Sequence, residues 1–446
     1  MDYVPNTEKE SREMLQAIGV KSVDELFQDI PAAKKVKGLL NVSTEMSEVE
    51  VTQLLTDLGA KNANAATHAI FLGAGAYNHF TPSAVPYLAF RGEFYTAYTP
   101  YQAEVSQGTL RAIFEFQTHI TELTGLEVSN ASVYDGSTAL GETIAGAWQV
   151  NQRKQLVISK TVHPHYREVI RTYCWSKGVE VVEVGYKDGK TDWDSLKAVV
   201  SDKTSAVMVQ SPNFFGCIEE VDQAAEIAHA KGAVLVTTVT EGSSLGLLEA
   251  PGKLGADFVV GEGQGFGIPM MYGGPYLGFM ATKKEYVRTL PGRLVGKTVD
   301  SEGKEGYVMT LQAREQHIRR ERSVSNICTN TGLIALMATI YLSLVGRQGL
   351  QRVAQQSFQK AHYAHAQLCK IRGVQPLFNQ PFYNEFALRV PDAKKASEAM
   401  MEAGIIPPLD LGAYYPELKN CLLVCCTEMN SKAQIDHLAK VLEGCR

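Results

Sequence analysis

From position 131 onward, short runs of β-branched and apolar residues alternate with segments whose apolar positions recur at helical spacing. The runs Leu156-Val157-Ile158-Ser159, Val179-Glu180-Val181-Val182, Ala206-Val207-Met208-Val209-Gln210, Val234-Leu235-Val236-Thr237 and Phe258-Val259-Val260 predict strands. The stretches between them have the length of helices, so the pattern predicts βαβ units and a mostly parallel sheet. Upstream, residues 110–124 show helical spacing again. The first sixty residues read as helical and polar, with Ser22 ahead of Glu25 and Ser47 ahead of Glu50 as candidate capping boxes. Two loops rich in glycine and aromatic residues, 71–82 and 94–108, lie between these regions. Near Leu333 the texture changes to long helices, and a tail containing Phe386-Ala387-Leu388-Arg389-Val390 and residues 421–426 suits a small α+β unit. The resulting plan is a helical N-terminal segment with candidate-site loops (1–108), a large α/β domain (109–330) and a smaller C-terminal α+β domain (331–446).

Composition narrows the function. Across 446 residues, 45% hydrophobic and 20% charged content fits an ordinary globular protein. A net charge of −5 gives no general attraction to nucleic acid or to an anionic membrane. The apolar run 332–345 is shorter than the ~18 residues of a membrane span and reads as a buried helix. The start, Met1-Asp2-Tyr3-Val4-Pro5, carries neither a basic nor an apolar signal region, which argues against secretion. Eight cysteines in so long a chain do not make a disulfide framework. Cys421, Cys425 and Cys426 raise the question of a metal cluster, but in a strand-like run they read as small hydrophobes, with no metal. A reducing, cytoplasmic compartment is expected.

Several motifs bear chemistry. Tyr95, Tyr98 and Tyr101 recur every third residue around Thr99-Pro100, with Gln102, Ser106 and Gln107 close behind. Phenols are rigid walls with one polar tip, so the loop suits the lining of a small-molecule pocket; it equally suits packing at the start of the next helix. Asp135-Gly136-Ser137-Thr138 opens a helix predicted over 139–148 and offers either a phosphate seat or an N-cap, Asp135 favouring the cap. His163-Pro164-His165-Tyr166 follows a strand and is either a ring that stacks on a ligand or a surface turn. Ser211-Pro212-Asn213-Phe214-Phe215-Gly216 has the look of a ligand-facing turn. Arg314, Arg319, Arg320 and Arg322 form either an anion site or a solvated helix face with Glu315 and Glu321. His362 and His365 read as surface residues. Glycines 261, 263, 265 and 267 are neither a P-loop nor a dinucleotide fingerprint; they suit close backbone approach or a tight turn.

Three of these stretches together resemble the glycine decarboxylase P-protein family: 94–108 (FYTAYTPYQAEVSQG), 312–329 (QAREQHIRRERSVSNICT) and 261–278. Within it they are similar to the first subunit of the split bacterial and archaeal form, and the likeness covers nearly the whole chain. The resemblance implies an aminotransferase-like, fold-type I pyridoxal-phosphate-dependent fold. It implies an assembly that condenses the cofactor with glycine, releases carbon dioxide and passes the aminomethyl group to the lipoyl arm of H-protein. It further implies that the cofactor lysine lies in a second subunit, within an α2β2 complex.

Aligning Pro269 with the family proline puts Gln264 at the lysine position, and glutamine cannot form an imine. Thr238 stands where an aspartate would pair with the pyridine nitrogen. The resemblance therefore implies a chain with no covalently bound cofactor. Its contribution would be Asn78, His79, Tyr95, Tyr98, Tyr101, Gln102, Ser106 and Gln107, reaching the partner's active site. Two other readings stand beside this one: a purely structural or regulatory subunit, or a self-sufficient enzyme using Lys253, Lys283 or Lys284. At 322–324, Arg-Ser-Val replaces the Lys-Ala-Thr of many relatives.

Overall fold

Reciprocal side-chain caps organise the start of the chain. In the computed structural model, which describes residues 6–271, 273–311, 316–320, 323, 325 and 327–445, Thr7 and Ser47 begin helices α1 (Glu8–Ile18) and α2 (Glu48–Gly59). Each hydroxyl accepts the backbone N–H three residues on at 3.3 Å, and Glu10 or Glu50 reaches back to the cap N–H at 2.7 and 2.8 Å. Ser22, expected to do the same, makes no cap; Glu25 accepts the Lys21 N–H at 2.9 Å, and Val23–Phe27 is a short 3-10 turn. Too few successive bonds form there to propagate an α-helix. Residues 1–62 constitute one unit and 63–446 a second. No residue of α1 or α2 is buried. The first unit is also less polar than its pattern suggests, since Met14, Ile18, Phe27, Leu54, Leu55 and Leu58 are exposed.

The second unit is built on a seven-stranded sheet. Its elements in chain order are α3 (Gln107–Thr124), β1 (Val128–Ser129), α4 (Gly136–Asn151), β2 (Gln155–Ser159), α5 (Pro164–Lys177), β3 (Glu180–Val184), β4 (Thr204–Gln210), α6 (Val221–His229), β5 (Val234–Val239), β6 (Phe258–Glu262) and β7 (Gly278–Thr282). The spatial order is β1-β7-β6-β5-β4-β2-β3; β6, β5, β4, β2 and β3 pair in parallel, and β7 runs against both its neighbours. Both faces are covered. On β5, Val234 and Val236 pack with Leu140 and Ile144 of α4 and Ile170 of α5, whereas Leu235 and Val239 pack with Phe116 and Ile120 of α3. Burial on two faces explains why these strands read as continuous apolar runs rather than alternating ones.

The long helix α7 (Gly332–Leu368) links this core to a smaller layer. It is long and apolar enough, by length and composition, to cross a membrane. Its apolar positions are instead packed: Ile334, Ala338 and Leu342 in the large core, Ala361, Ala364 and Leu368 in the small one. Between these two groups Gly346 adopts φ 58°, ψ −175°, outside helical geometry, which only a residue without Cβ takes easily. The smaller layer is a four-stranded antiparallel sheet of β8 (Gln375–Pro376), β9 (Glu385–Arg389), β10 (Leu409–Asp410) and β11 (Cys421–Cys425), ordered β8-β9-β11-β10. Phe71 lies in its core, because Ala69–Ile70 pairs in parallel with Ile405–Ile406. All eight cysteines are free, and Cys421, Cys425 and Cys426 are buried as the strand pattern implies.

Candidate functional site

The carboxyl ends of β2, β4, β5 and β6 bring His163, Ser211, Glu241 and Gln264 to one edge, where open α/β sheets bind ligands. Here that edge is filled by the chain itself. Gln264 is buried, and its amide is fully engaged: Oε1 accepts the Tyr77 N–H at 2.8 Å, while Nε2 donates to the carbonyls of Tyr77 (3.0 Å) and Ile268 (2.7 Å). The Tyr77 hydroxyl donates to Glu385 Oε2 at 2.9 Å, and Glu385 Oε1 accepts the Ala74 N–H at 2.7 Å. His79 is held between two carboxylates, Nδ1 at 2.7 Å from Glu428 and Nε2 at 3.0 Å from Glu241. Loop 71–82 is thus stitched to β9 and to the segments after β5, β6 and β11 by buried polar contacts.

The electrostatics follow from burial. Burial alone would push the His79 pKa down, but Glu241 and Glu428 outweigh it and raise the value to about 10, so the imidazole is cationic. Burial, with Glu241 nearby, raises Glu385 to about 7 against the pull of the Ala74 N–H and the Tyr77 hydroxyl. His163 is buried too, its Nε2 at 2.9 Å from the Ala74 carbonyl, and burial lowers its pKa to about 4. That neutral ring caps α5 and packs edge-on against Phe214, so the surface-turn reading of His163 is corrected. Proline at the first position of α5 suits the helix start, where its missing N–H would be unpaired anyway.

Asp135 proves to be the N-cap of α4, accepting the Thr138 N–H at 2.9 Å and the Ser137 hydroxyl at 2.5 Å. The Gly136 N–H is taken by Glu262 Oε2 at 2.9 Å. Both anion-seating features of that turn are therefore occupied by the chain's own carboxylates. Thr238 on β5 is buried, and its hydroxyl has no hydrogen-bond partner among the described residues. Pyridoxal phosphate does not fit this edge as it is built: Gln264 offers a locked amide and no amine, the N-terminus of α4 is taken by Asp135 and Glu262, and Thr238 offers a hydroxyl and no carboxylate. Alternative lysines lie elsewhere. Lys283 pairs with Asp257 at 2.5 Å, beside the amino end of β6, and Lys284 follows it. Lys253 pairs with Glu249 at 3.0 Å on the surface.

The tyrosine loop is the opposite kind of surface. Tyr95, Tyr98 and Tyr101 are 61%, 82% and 55% exposed. Arg293 supports Tyr101, with its guanidinium 4.9 Å from the ring centre and Nη2 donating to the hydroxyl at 3.0 Å. Behind the loop lies a cavity of about 260 Å³, lined by Phe94, Tyr98, Pro100, Phe116, Asn330 and Leu336 among others. The other expected site residues divide between loop and scaffold. Gln102 is exposed and Ser106 half-buried, whereas the Gln107 amide is clasped by the Tyr307 backbone, at 2.9 Å in both directions. Asn78 is half-buried, its carbonyl accepting the Thr427 hydroxyl at 2.6 Å.

Other expectations change. His362 and His365 are half-buried rather than surface residues; His362 stacks on Phe382 at 4.1 Å and 8° because the aromatic residue follows β8 onto that helix face. Arg319 and Arg320 are exposed, while Arg314, Arg322, Glu315 and Glu321 lie outside the described residues. Helix α4 runs beyond the expected 139–148, since Asp135 starts it. Gly261 proves to be a close-approach position, where a Cβ would collide with the Val239 carbonyl. Sequence reasoning missed Tyr77, Glu241, Glu262, Glu385 and Glu428. Of these, Glu241 and Glu428 carried one faint signal, an acid just beyond a run of buried β-formers.

Comparison with known proteins gives a family. The model described as Glycine cleavage system P-protein matches residues 1–442. The chain is 48% identical over 446 residues to Probable glycine dehydrogenase (decarboxylating) subunit 1 of Carboxydothermus hydrogenoformans, covering 100% of both. It is 49% identical over 444 residues to the like-named protein of Brevibacillus brevis, covering 99% of this chain and 98% of that one. A crystal structure of glycine decarboxylase (P-protein) of the glycine cleavage system, in inhibitor-bound form, superposes with TM-score 0.90 at 43% identity over 100% of both chains. A cysteine desulfurase from Thermococcus onnurineus, at TM-score 0.62 and 18% identity over 90% of this chain and 99% of its own, shares the fold-type I architecture alone.

Proposed function

The chain belongs to the glycine cleavage system P-protein family, and from that premise we propose that it is the alpha subunit of a split glycine decarboxylase whose partner carries the pyridoxal phosphate. With that partner it forms a decarboxylating glycine dehydrogenase: glycine loses its carboxylate as carbon dioxide, and the aminomethyl group passes to the lipoyl arm of H-protein. The observation that carries the reading is Gln264. An amide bonded through both ends to the backbone of Tyr77 and Ile268 is a finished structural joint, with no amine to offer. Relatives matching from end to end are named as subunit 1, which supports a second subunit.

The tyrosine loop is this chain's contribution to the partner's pocket. Tyr95, Tyr98 and Gln102 are open to the outside, and Tyr101 is anchored beside them by its hydroxyl bond to Arg293, an arrangement suited to orienting glycine and excluding water. Gln107 and His79 act behind it, fixing loop and scaffold. An α2β2 complex is the assembly in this reading. Eight free cysteines, five of them buried and two of those in a strand, support a cytoplasmic location.

The deciding measurement is glycine–bicarbonate carbon exchange with pyridoxal phosphate and H-protein, on this chain alone and mixed with its lysine-bearing partner. Activity in the mixture alone is expected. Activity in the isolated chain overturns the reading, and equal activity of the partner alone reduces this subunit to an accessory.

A further inference from the structure

Glu262 closes β6 with its side chain turned inward, and the residue is 3% exposed. Three backbone N–H groups from three separate segments converge on its carboxylate. Gly136, first residue of α4, donates to Oε2 at 2.9 Å; Gln264 and Leu277 donate to Oε1 at 3.1 and 2.9 Å. Converging amides of this kind, one of them at a helix N-terminus, form an anion nest. Its walls leave no slack. A Cβ on Gly136 would collide with the Tyr166 hydroxyl and come within 3.1 Å of Glu262, so the helix start is pressed onto the carboxyl group. Asp135 takes the Thr138 N–H and the hydroxyls of Ser137 and Thr138, at 2.5–3.1 Å, and leaves the Gly136 N–H to Glu262.

We propose that Glu262 is a built-in occupant of this nest, closing in this subunit a seat that would otherwise take a phosphate group. Exclusion of a phosphorylated cofactor then rests on a second device, independent of the missing lysine. The inference builds on the reading that the partner holds the cofactor. Burial, assisted by Asp135, raises the Glu262 pKa to about 8 against the pull of the three N–H donors. At neutral pH the occupant is therefore largely uncharged beside Asp135. A carboxyl group tethered to β6 also competes as an intramolecular ligand, at a high effective concentration.

The test uses the full chain and two probes, inorganic phosphate and pyridoxal phosphate. Phosphate titration is followed by thermal unfolding and calorimetry. Imine formation, in which a lysine amine adds to the aldehyde with loss of water, is trapped by borohydride reduction and located by peptide mass. The wild type and Gln264→Lys are expected to show neither a phosphate-dependent rise in Tm nor labelling at position 264. Glu262→Ala should gain a Tm that climbs with phosphate, and Glu262→Ala/Gln264→Lys should be labelled at 264. Glu262→Gln, which keeps the shape, serves as the folding control and should stay closed. Labelling of Gln264→Lys equal to that of the double variant overturns the proposal. So does a folded Glu262→Ala that binds phosphate no better than wild type; Glu262→Ser replaces it if the alanine variant unfolds. Stoichiometric pyridoxal phosphate binding by the wild-type chain overturns instead the reading on which the proposal rests.

Discussion

The polar cluster at the strand ends and the tyrosine loop belong to one unit and are both rich in groups that could do chemistry. At the cluster, His79, Gln264, Glu262 and Glu385 are buried, and each is bonded to partners inside the chain. At the loop, Tyr95 and Tyr98 turn most of their surface to solvent on a backbone held by Pro100 and by Arg293 beneath Tyr101. The difference teaches how to tell scaffold from open surface when both carry chemically capable groups. Residue type alone would nominate the cluster, which holds a histidine and four acids. Whether polar atoms are already matched points the other way: the cluster's buried groups are matched within the chain and act as scaffold, which leaves the exposed loop as the surface to test.

That contrast can be broken most forcefully at His79. Replacing it with alanine leaves Glu241 and Glu428, whose side chains are 2% and 9% exposed, without their shared cation. A loss of about 3–5 kcal/mol in denaturant unfolding is expected. A loss within about 0.5 kcal/mol, the usual range of a surface change, would mean that the cluster is not scaffold. Gln264→Ala should cost about 1–3 kcal/mol by stranding the Tyr77 N–H and carbonyl groups.

The pH dependence of unfolding sharpens the same comparison. His79, raised to about 10, binds its proton more tightly in the folded than in the unfolded chain, so its contribution is intact below about 6.5. It is lost as pH rises from there through about 10. Glu385, raised to about 7 by burial, favours its protonated form in the fold, so its share falls between about 4.5 and 7. His163, lowered to about 4, acts in the opposite sense and weakens the fold as pH drops from about 6.5 toward 4. Stability should therefore decline on the alkaline side, and His79→Ala should flatten that limb.

The smallest effect on stability belongs to the loop. Tyr95→Phe and Tyr98→Phe should shift unfolding by no more than about 0.5 kcal/mol, yet lower carbon exchange by the assembled complex roughly tenfold to a hundredfold. Tyr101→Phe, which also loses the Arg293 bond, should cost about 0.5–1.5 kcal/mol in addition. Unchanged exchange in all three would favour the purely structural subunit.

The strands β2, β4, β5 and β6 were legible because burial on both faces writes continuous runs such as Val234-Leu235-Val236 into the chain. The Asp135 cap was legible because its partner is three residues away. The cluster was not. His79 and Glu428 are 349 residues apart, and Tyr77 and Gln264 are 187 apart, beyond the reach of any periodicity. Aromatic spacing drew attention to the tyrosine loop but could not distinguish wall from filler. Solvent exposure decides that question, and it is a property of the folded chain. Ser22 failed as a cap for the converse reason: a correct local signature was followed by too short a helix.

The first unit has a consequence for how the protein must be handled. Met14, Ile18, Phe27, Leu54, Leu55 and Leu58 lie open to water on a segment whose described residues bury nothing. Apolar surface of this extent makes solution behaviour depend on dilution, because self-association grows with concentration while folding stability does not. The free chain therefore has a ceiling on its usable concentration. Dilution, rather than a stabilising mutation in the core, is the way to keep it monomeric.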